Sequence, residues 1–93
     1  MKYDDKGIKK ITKKDPYPII KLLNDVNFEG DNLKEQLARI AEKKNTGLGH
    51  VMQIMRMALV GNLSGPDIST IVKIIGKDVT LKRIEKLSSH LKK

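Results

Sequence analysis

Apolar residues recur at three- and four-residue spacing along nearly the whole chain, and glycines, prolines and short polar clusters interrupt them. Ile19, Ile20, Leu22, Leu23 and Val26 form one stripe, which predicts a helix over 17–26. Pro16 or Pro18 can open it, because a proline in the first turn gives up an N–H that would have no helical partner. Glu29-Gly30-Asp31 reads as a turn, with Asp31 as the N-cap of a helix over 32–44 and Glu35 in its first turn. Leu33, Leu37, Ile40 and Ala41 mark its apolar side, and Asn45 through Gly49 stop it. The next helix is expected over 49–60, with Gly61 as the left-handed residue that ends it. Ser64 or Gly65 then caps a helix led by Pro66, running over 66–75 to a stop at Gly76. A last helix over 78–90 has Val79, Leu81, Ile84, Leu87 and Leu91 on its predicted buried side. Residues 4–12 read as a short helix or a disordered lead-in, within a charged leader over 1–14 that is open to being flexible. Nothing alternates like a strand. The expectation is an all-α fold: one domain over 1–93, a compact bundle of five or six short helices.

Composition narrows the role. A chain of 93 residues holds a single small core, with about 60–65% of the unfolded surface buried. That leaves no room for a catalytic domain with a deep cleft beside a second module. No apolar run approaches a membrane span, and the charged start does not read as a signal peptide. No cysteine is available for disulfides or a thiolate zinc site, which fits a reducing, cytoplasmic compartment. The net charge of +8 points to an anionic partner: RNA, DNA or a membrane surface. The competing explanation is a lysine-, isoleucine- and asparagine-rich composition with no partner behind it. Tyr3, Tyr17 and Phe28 are the whole aromatic complement, which argues against a sheet that stacks bases on aromatic rings. Arginine, proline or aliphatic side chains would have to cover any bound base.

The residue types that carry catalysis are scattered. His50 and His90 have no carboxylate at ligand spacing, so no metal site is expected. Gly47-Leu48-Gly49-His50 faintly echoes the His-Ile-Gly-His nucleotide motif of class I synthetases but lacks its first histidine, and reads as a helix-entry turn. Asp4-Asp5 is solvated charge, Ser88-Ser89 has nothing to activate it, and no Gly-rich phosphate loop occurs. No catalytic residue is assigned. Met52, Met55 and Leu59 share one helix face and read as core. Gln53 and Arg56 share another face. Arg56 there can meet a partner or pair with a carboxylate, and the spacing leaves both open.

Arg56 is one of three arginines, with Arg39 and Arg83, in a chain that otherwise uses lysine. It lies inside Gln53-Ile-Met-Arg56-Met-Ala-Leu59-Val-Gly61, followed by Gly65-Pro66-Asp67-Ile68. Downstream come Ile75-Gly76-Lys77-Asp78 and Leu81-Lys-Arg83-Ile84, and upstream a Tyr3-Asp4-Asp5-Lys6 opening and a Leu33-x-x-x-Leu37 helix. In order and spacing these resemble the C-terminal anticodon-binding domain of bacterial-type glutamyl-tRNA synthetases, whose corresponding words are Gln-Pro-Leu-Arg-Ala-Ala-Leu-Thr-Gly, Leu-Gly-Lys-Glu and Leu-x-Arg-Leu.

The resemblance implies an all-helical module that reads the anticodon loop of glutamate tRNA. Carried over position by position, Arg56, Gly65, Pro66 and Ile68 are the RNA-binding residues. A guanidinium offers fixed donors to pyrimidine carbonyls, and Pro66 and Ile68 are expected to cover a base face. It also implies a parent glutamate–tRNA ligase that uses ATP, in which this chain is a non-catalytic C-terminal piece without a cofactor of its own. Three positions depart from the family: Gly65 stands where some members have threonine, Val60 replaces threonine and Ile54 replaces proline. The first removes a hydroxyl contact. A monomer bound to tRNA is expected, with neither DNA nor membrane. The alternatives are a helix-turn-helix over 47–76, whose reading helix would place Asp67 unfavourably against DNA, and a small helical protein-interaction domain.

Overall fold

The computed structural model describes residues 2–92. Five helices follow one another and no strand occurs among the described residues: α1 (Asp5–Ile11), α2 (Tyr17–Leu23), α3 (Leu33–Lys43), α4 (Leu48–Val60) and α5 (Ile68–Leu91). The all-helical expectation is met. The count of five or six is met at its lower end, because α5 is continuous in sequence but broken at Gly76.

The centre of the bundle is α4, which packs against α1, α3 and α5, while α2 packs on α3 and α5. Val51, Ile54, Met55, Met57, Ala58 and Leu59 are all buried, so α4 is covered around most of its circumference. From Ile54 to Leu59 the only residue not fully buried is Arg56. Met55 and Leu59 are core as expected, whereas Met52 is only half-buried.

The leader is part of this core. Ile11 is fully buried and Tyr3 nearly so. Asp4 caps α1 by accepting the Gly7 N–H at 3.0 Å, and its own N–H donates to the Gly61 carbonyl at 2.8 Å, tying the leader to the end of α4. The Tyr3 ring lies 4.6 Å from that of His90, near the end of α5. Burial raises the Tyr3 pKa.

Several boundaries differ from expectation for local reasons. α2 stops at Leu23, and the N–H groups of Asp25 and Val26 reach back only three residues, to Leu22 and Leu23, although Val26 stays buried. α3 is preceded by Asn32, not Asp31. Gln36 accounts for the shift: it donates to the Asn32 side chain at 3.0 Å and the Asn27 carbonyl at 2.9 Å, and accepts the Asn27 N–H at 2.8 Å, pinning the α2–α3 loop to the helix start. α5 begins after Pro66. Its cap is Asp67, whose carboxylate accepts the Thr70 N–H at 3.4 Å, so neither Ser64 nor Gly65 caps it.

The break in α5 sets the register of its second half. Gly76 sits at φ 84° and ψ 167°, a region that essentially only glycine occupies. The Thr80 side chain is fully buried, and its hydroxyl donates to the Gly76 carbonyl at 2.8 Å, bridging the break. The turn of the register exposes Val79 at 39% and buries Thr80, which corrects Val79 as a core position; Ile84 and Leu87 are buried as expected. A Cβ at Gly76 would meet no atom within 4 Å. Gly76→Ala is therefore expected to lose about 1–3 kcal/mol through backbone strain alone. Urea denaturation measures it, and an unchanged midpoint would contradict the assignment.

Candidate nucleic-acid interface

The Gly61–Asp67 segment links α4 to α5 and places all four residues singled out in the sequence within one small region. Gly61 ends α4 in the left-handed conformation, φ 72°, as its position predicts. Asn62 then turns the chain by accepting the Ser64 N–H at 3.3 Å. Asn62, Ser64, Gly65 and Pro66 are exposed.

Arg56 holds this turn. Its Nη1 donates to the Gly65 carbonyl at 3.2 Å and to the Pro66 carbonyl at 2.8 Å. No carboxylate lies within 4.0 Å of it among the described residues, where Lys77 with Glu29 forms the ion pair, at 4.0 Å. So Arg56 is neither a free surface cation nor a salt-bridge residue. Two of its five donors are committed to the backbone, and the Nε–H and both Nη2–H groups have no acceptor among the described residues. The fixed half sets the plane of the guanidinium; the open half points three donors away from the bonded carbonyls.

Gly65 completes the turn with φ 147°, and a Cβ there would meet only Val60, at an ordinary 3.8 Å. Space is available, but the backbone conformation is one that side-chain-bearing residues rarely adopt. The departure from threonine at this position therefore goes with a turn geometry that threonine would strain.

Ile68 is placed differently from expectation. Its side chain is 1% exposed and belongs to the core, so it cannot lie over a base. What it offers is backbone: at the start of α5 the N–H groups of Ile68 and Ser69 have no acceptor among the described residues, while that of Thr70 is taken by Asp67. Pro66 is exposed and free to present a ring face.

Two supports were not legible as such. Arg83 reaches from the second half of α5 to donate to the Leu59 carbonyl at 2.6 Å, closing the end of α4 just beyond Arg56. Asp67 could have been found from capping preference alone. His50, in the first turn of α4, has its pKa lowered by burial and then by the nearby Lys14 charge. Among the described residues no three His, Asp or Glu side chains converge as a metal site would need.

Residues 1–88 match the family model of the anticodon binding domain. The chain belongs to this family. It is 40% identical over 95 residues to the glutamate–tRNA ligase of Christiangramia forsetii, which covers 97% of this chain and 19% of that protein. It is 36% identical over 91 residues to glutamate–tRNA ligase 2 of Nitratiruptor sp., covering 91% of the chain and 20% of the relative. Among solved structures, a glutamate tRNA ligase from Elizabethkingia meningosepticum, crystallised with its amino acid, superposes with a TM-score of 0.74 at 32% identity, over 91% of this chain and 18% of that one. This anticodon-binding domain thus spans about a fifth of the length of the ligases it matches. Nothing in these relatives supports a helix-turn-helix or a protein-interaction domain.

Arg56→Ala leaves the Gly65 and Pro66 carbonyls to water. The expected cost is about 1 kcal/mol, the usual net worth of such bonds at a partly exposed site. Amide hydrogen exchange across Asp67–Thr70 should also accelerate. A variant with wild-type stability and exchange would show that the guanidinium does not hold the turn.

Proposed function

We propose that this domain reads the anticodon loop of glutamate tRNA on behalf of a longer glutamate–tRNA ligase, with Arg56, Gly65, Pro66 and the backbone of Ile68 as the contact residues. The observation that carries the reading is the guanidinium of Arg56. It is anchored on one edge by the turn and open on the other, which suits bidentate recognition of a splayed pyrimidine edge. Pro66 supplies an exposed face beside it. Gly65 lets the backbone come close enough to a nucleotide for contact. The side chain of Ile68 acts only by packing the start of α5 into the core, which fixes where its N–H groups stand.

The net charge of +8 supplies the general attraction to phosphate, and the turn supplies selectivity. Lys73 is exposed one helical turn beyond Ser69 and is placed to meet the same backbone. Activation of glutamate by ATP and its transfer to the tRNA end belong to the rest of the ligase. No phosphate loop exists here to hold a nucleotide triphosphate. In this reading the domain acts in the cytoplasm as a monomer and contributes no catalytic residue. No helix among the described residues is long and apolar enough to cross a membrane.

The test is affinity for an anticodon stem-loop of glutamate tRNA against one with the anticodon replaced. Binding is expected to weaken with salt, by a slope of roughly 0.7–0.9 in log K per neutralised phosphate. The cognate loop should bind tighter, and Arg56→Ala should remove roughly 5- to 150-fold of affinity from the cognate loop and less from the other. Salt-independent binding, or equal binding of every loop by the wild-type chain, contradicts the reading.

A further inference from the structure

The opposite end of α4 from the Gly61–Asp67 turn borders a cavity that anticodon reading leaves unused. It is lined by Lys14 and Asp15 from the α1–α2 link, Lys44 and Thr46 from the α3–α4 link, and His50 from the first turn of α4. Its volume is about 200 Å³, room for a small ion together with water. α4 has 13 residues, so the turn lies roughly 20 Å away at about 1.5 Å of rise per residue. A nucleotide seated on the turn does not reach this far.

The walls are fixed by the backbone. α3 closes with Asn45 in the left-handed region, φ 53°, and the Thr46 N–H donates back to the Ala41 carbonyl at 2.9 Å. Asp15 accepts the Tyr17 N–H through Oδ1 at 3.1 Å, ahead of α2. Against this rigid frame the polar groups are left over. Neither Lys14 nor Lys44 has a carboxylate within 4.0 Å among the described residues. The His50 Nε2 is buried and has no hydrogen-bond partner. Buried polar atoms are rarely left bare, and this one stands in a cavity whose two lysines outnumber its one carboxylate.

We propose that this cavity binds a tetrahedral oxyanion of the phosphate class, held by Lys14, Lys44, the Thr46 hydroxyl and the protonated His50 ring. Such an ion offers acceptor oxygens in several directions at once, which suits donors arriving from two links and a helix. Burial and the Lys14 charge lower the pKa of the empty site's His50. A bound anion reverses that balance, because it favours the imidazolium, in which both ring nitrogens donate. Binding therefore tightens as pH falls. Lys14, Lys44 and Asp15 are the charged groups that face the ring across the cavity, and Asp15 opposes the ion.

The test follows the His50 ring by NMR in the 93-residue chain, with His90 as an internal reference. The probe is sulfate, which stays a dianion from pH 5 to 8, exchanged for chloride at constant ionic strength. The His50 midpoint should rise by about half a unit, a roughly threefold preference of the ion for the charged ring, and that of His90 should move less. Lys14→Gln and Lys44→Gln should each reduce the rise. Asp15→Asn, which keeps the oxygen that Tyr17 needs, should bind sulfate more tightly. Lys86→Gln, away from the cavity, should change nothing. An anticodon stem-loop added in place of sulfate separates the two sources of phosphate. If RNA backbone fills the cavity, the loop raises the His50 midpoint and abolishes the response to sulfate. If a free ion is the ligand, the loop leaves both unchanged. A His50 midpoint that sulfate does not move, or moves equally in the Lys14 and Lys44 variants, overturns the site and leaves the anticodon reading untouched.

Discussion

The two hydrogen bonds from Arg56 to the carbonyls of Gly65 and Pro66 are the constraint on which the recognition surface depends. They join the central helix, much of which is buried, to the exposed link between α4 and α5. Without them the middle of the seven-residue Gly61–Asp67 segment would be ordered by the Asn62 turn and the packing of Leu63. With them, the rigidity of α4 extends to Pro66 and to the first turn of α5. Two further contacts secure the frame: Arg83 closes the end of α4, and the Asp4 N–H on the Gly61 carbonyl brings the leader to the same point. A preformed loop of this kind gives up little ordering entropy when it binds.

Charge and geometry divide the work. Lysines over most of the surface give attraction without selectivity, since a phosphate looks alike at every nucleotide. Selectivity needs side chains whose polar atoms are held in place. Around the turn those atoms are held by helix-end chemistry: a guanidinium half-used by backbone carbonyls, a carboxylate half-used by a cap, and N–H groups left over at a helix start. Each leaves an unused half directed outward. The same bonds that stabilise the fold thus orient the groups that are free to meet a ligand.

Much of this was legible in the sequence. Helical periodicity placed the helices within a few residues, Gly61 and Gly76 marked the two backbone discontinuities, and the order of short motifs around Arg56 pointed to the family. The failures share a physical cause. The resemblance puts Ile68 over a base face because its position matches a family contact, but sequence does not tell which side of a helix start faces the core, where Ile68 lies. Periodicity carried through Gly76 puts Val79 in the core, but the φ and ψ of Gly76 reset the phase and bury Thr80 instead. The spacing leaves Arg56 either facing a partner or paired with a carboxylate. Its actual partners are backbone carbonyls nine and ten residues away, which no side-chain pattern records.

The most direct test of the central claim is a structure of this domain bound to an anticodon stem-loop. The account predicts that the loop lies on the Gly65–Ile68 turn, that the Nη1 bonds of Arg56 to Gly65 and Pro66 persist, and that a base edge takes the Nε and Nη2 donors, with the turn backbone displaced by no more than about 1 Å. RNA bound to another face of the bundle, or a turn that releases Arg56 in order to bind, would contradict it.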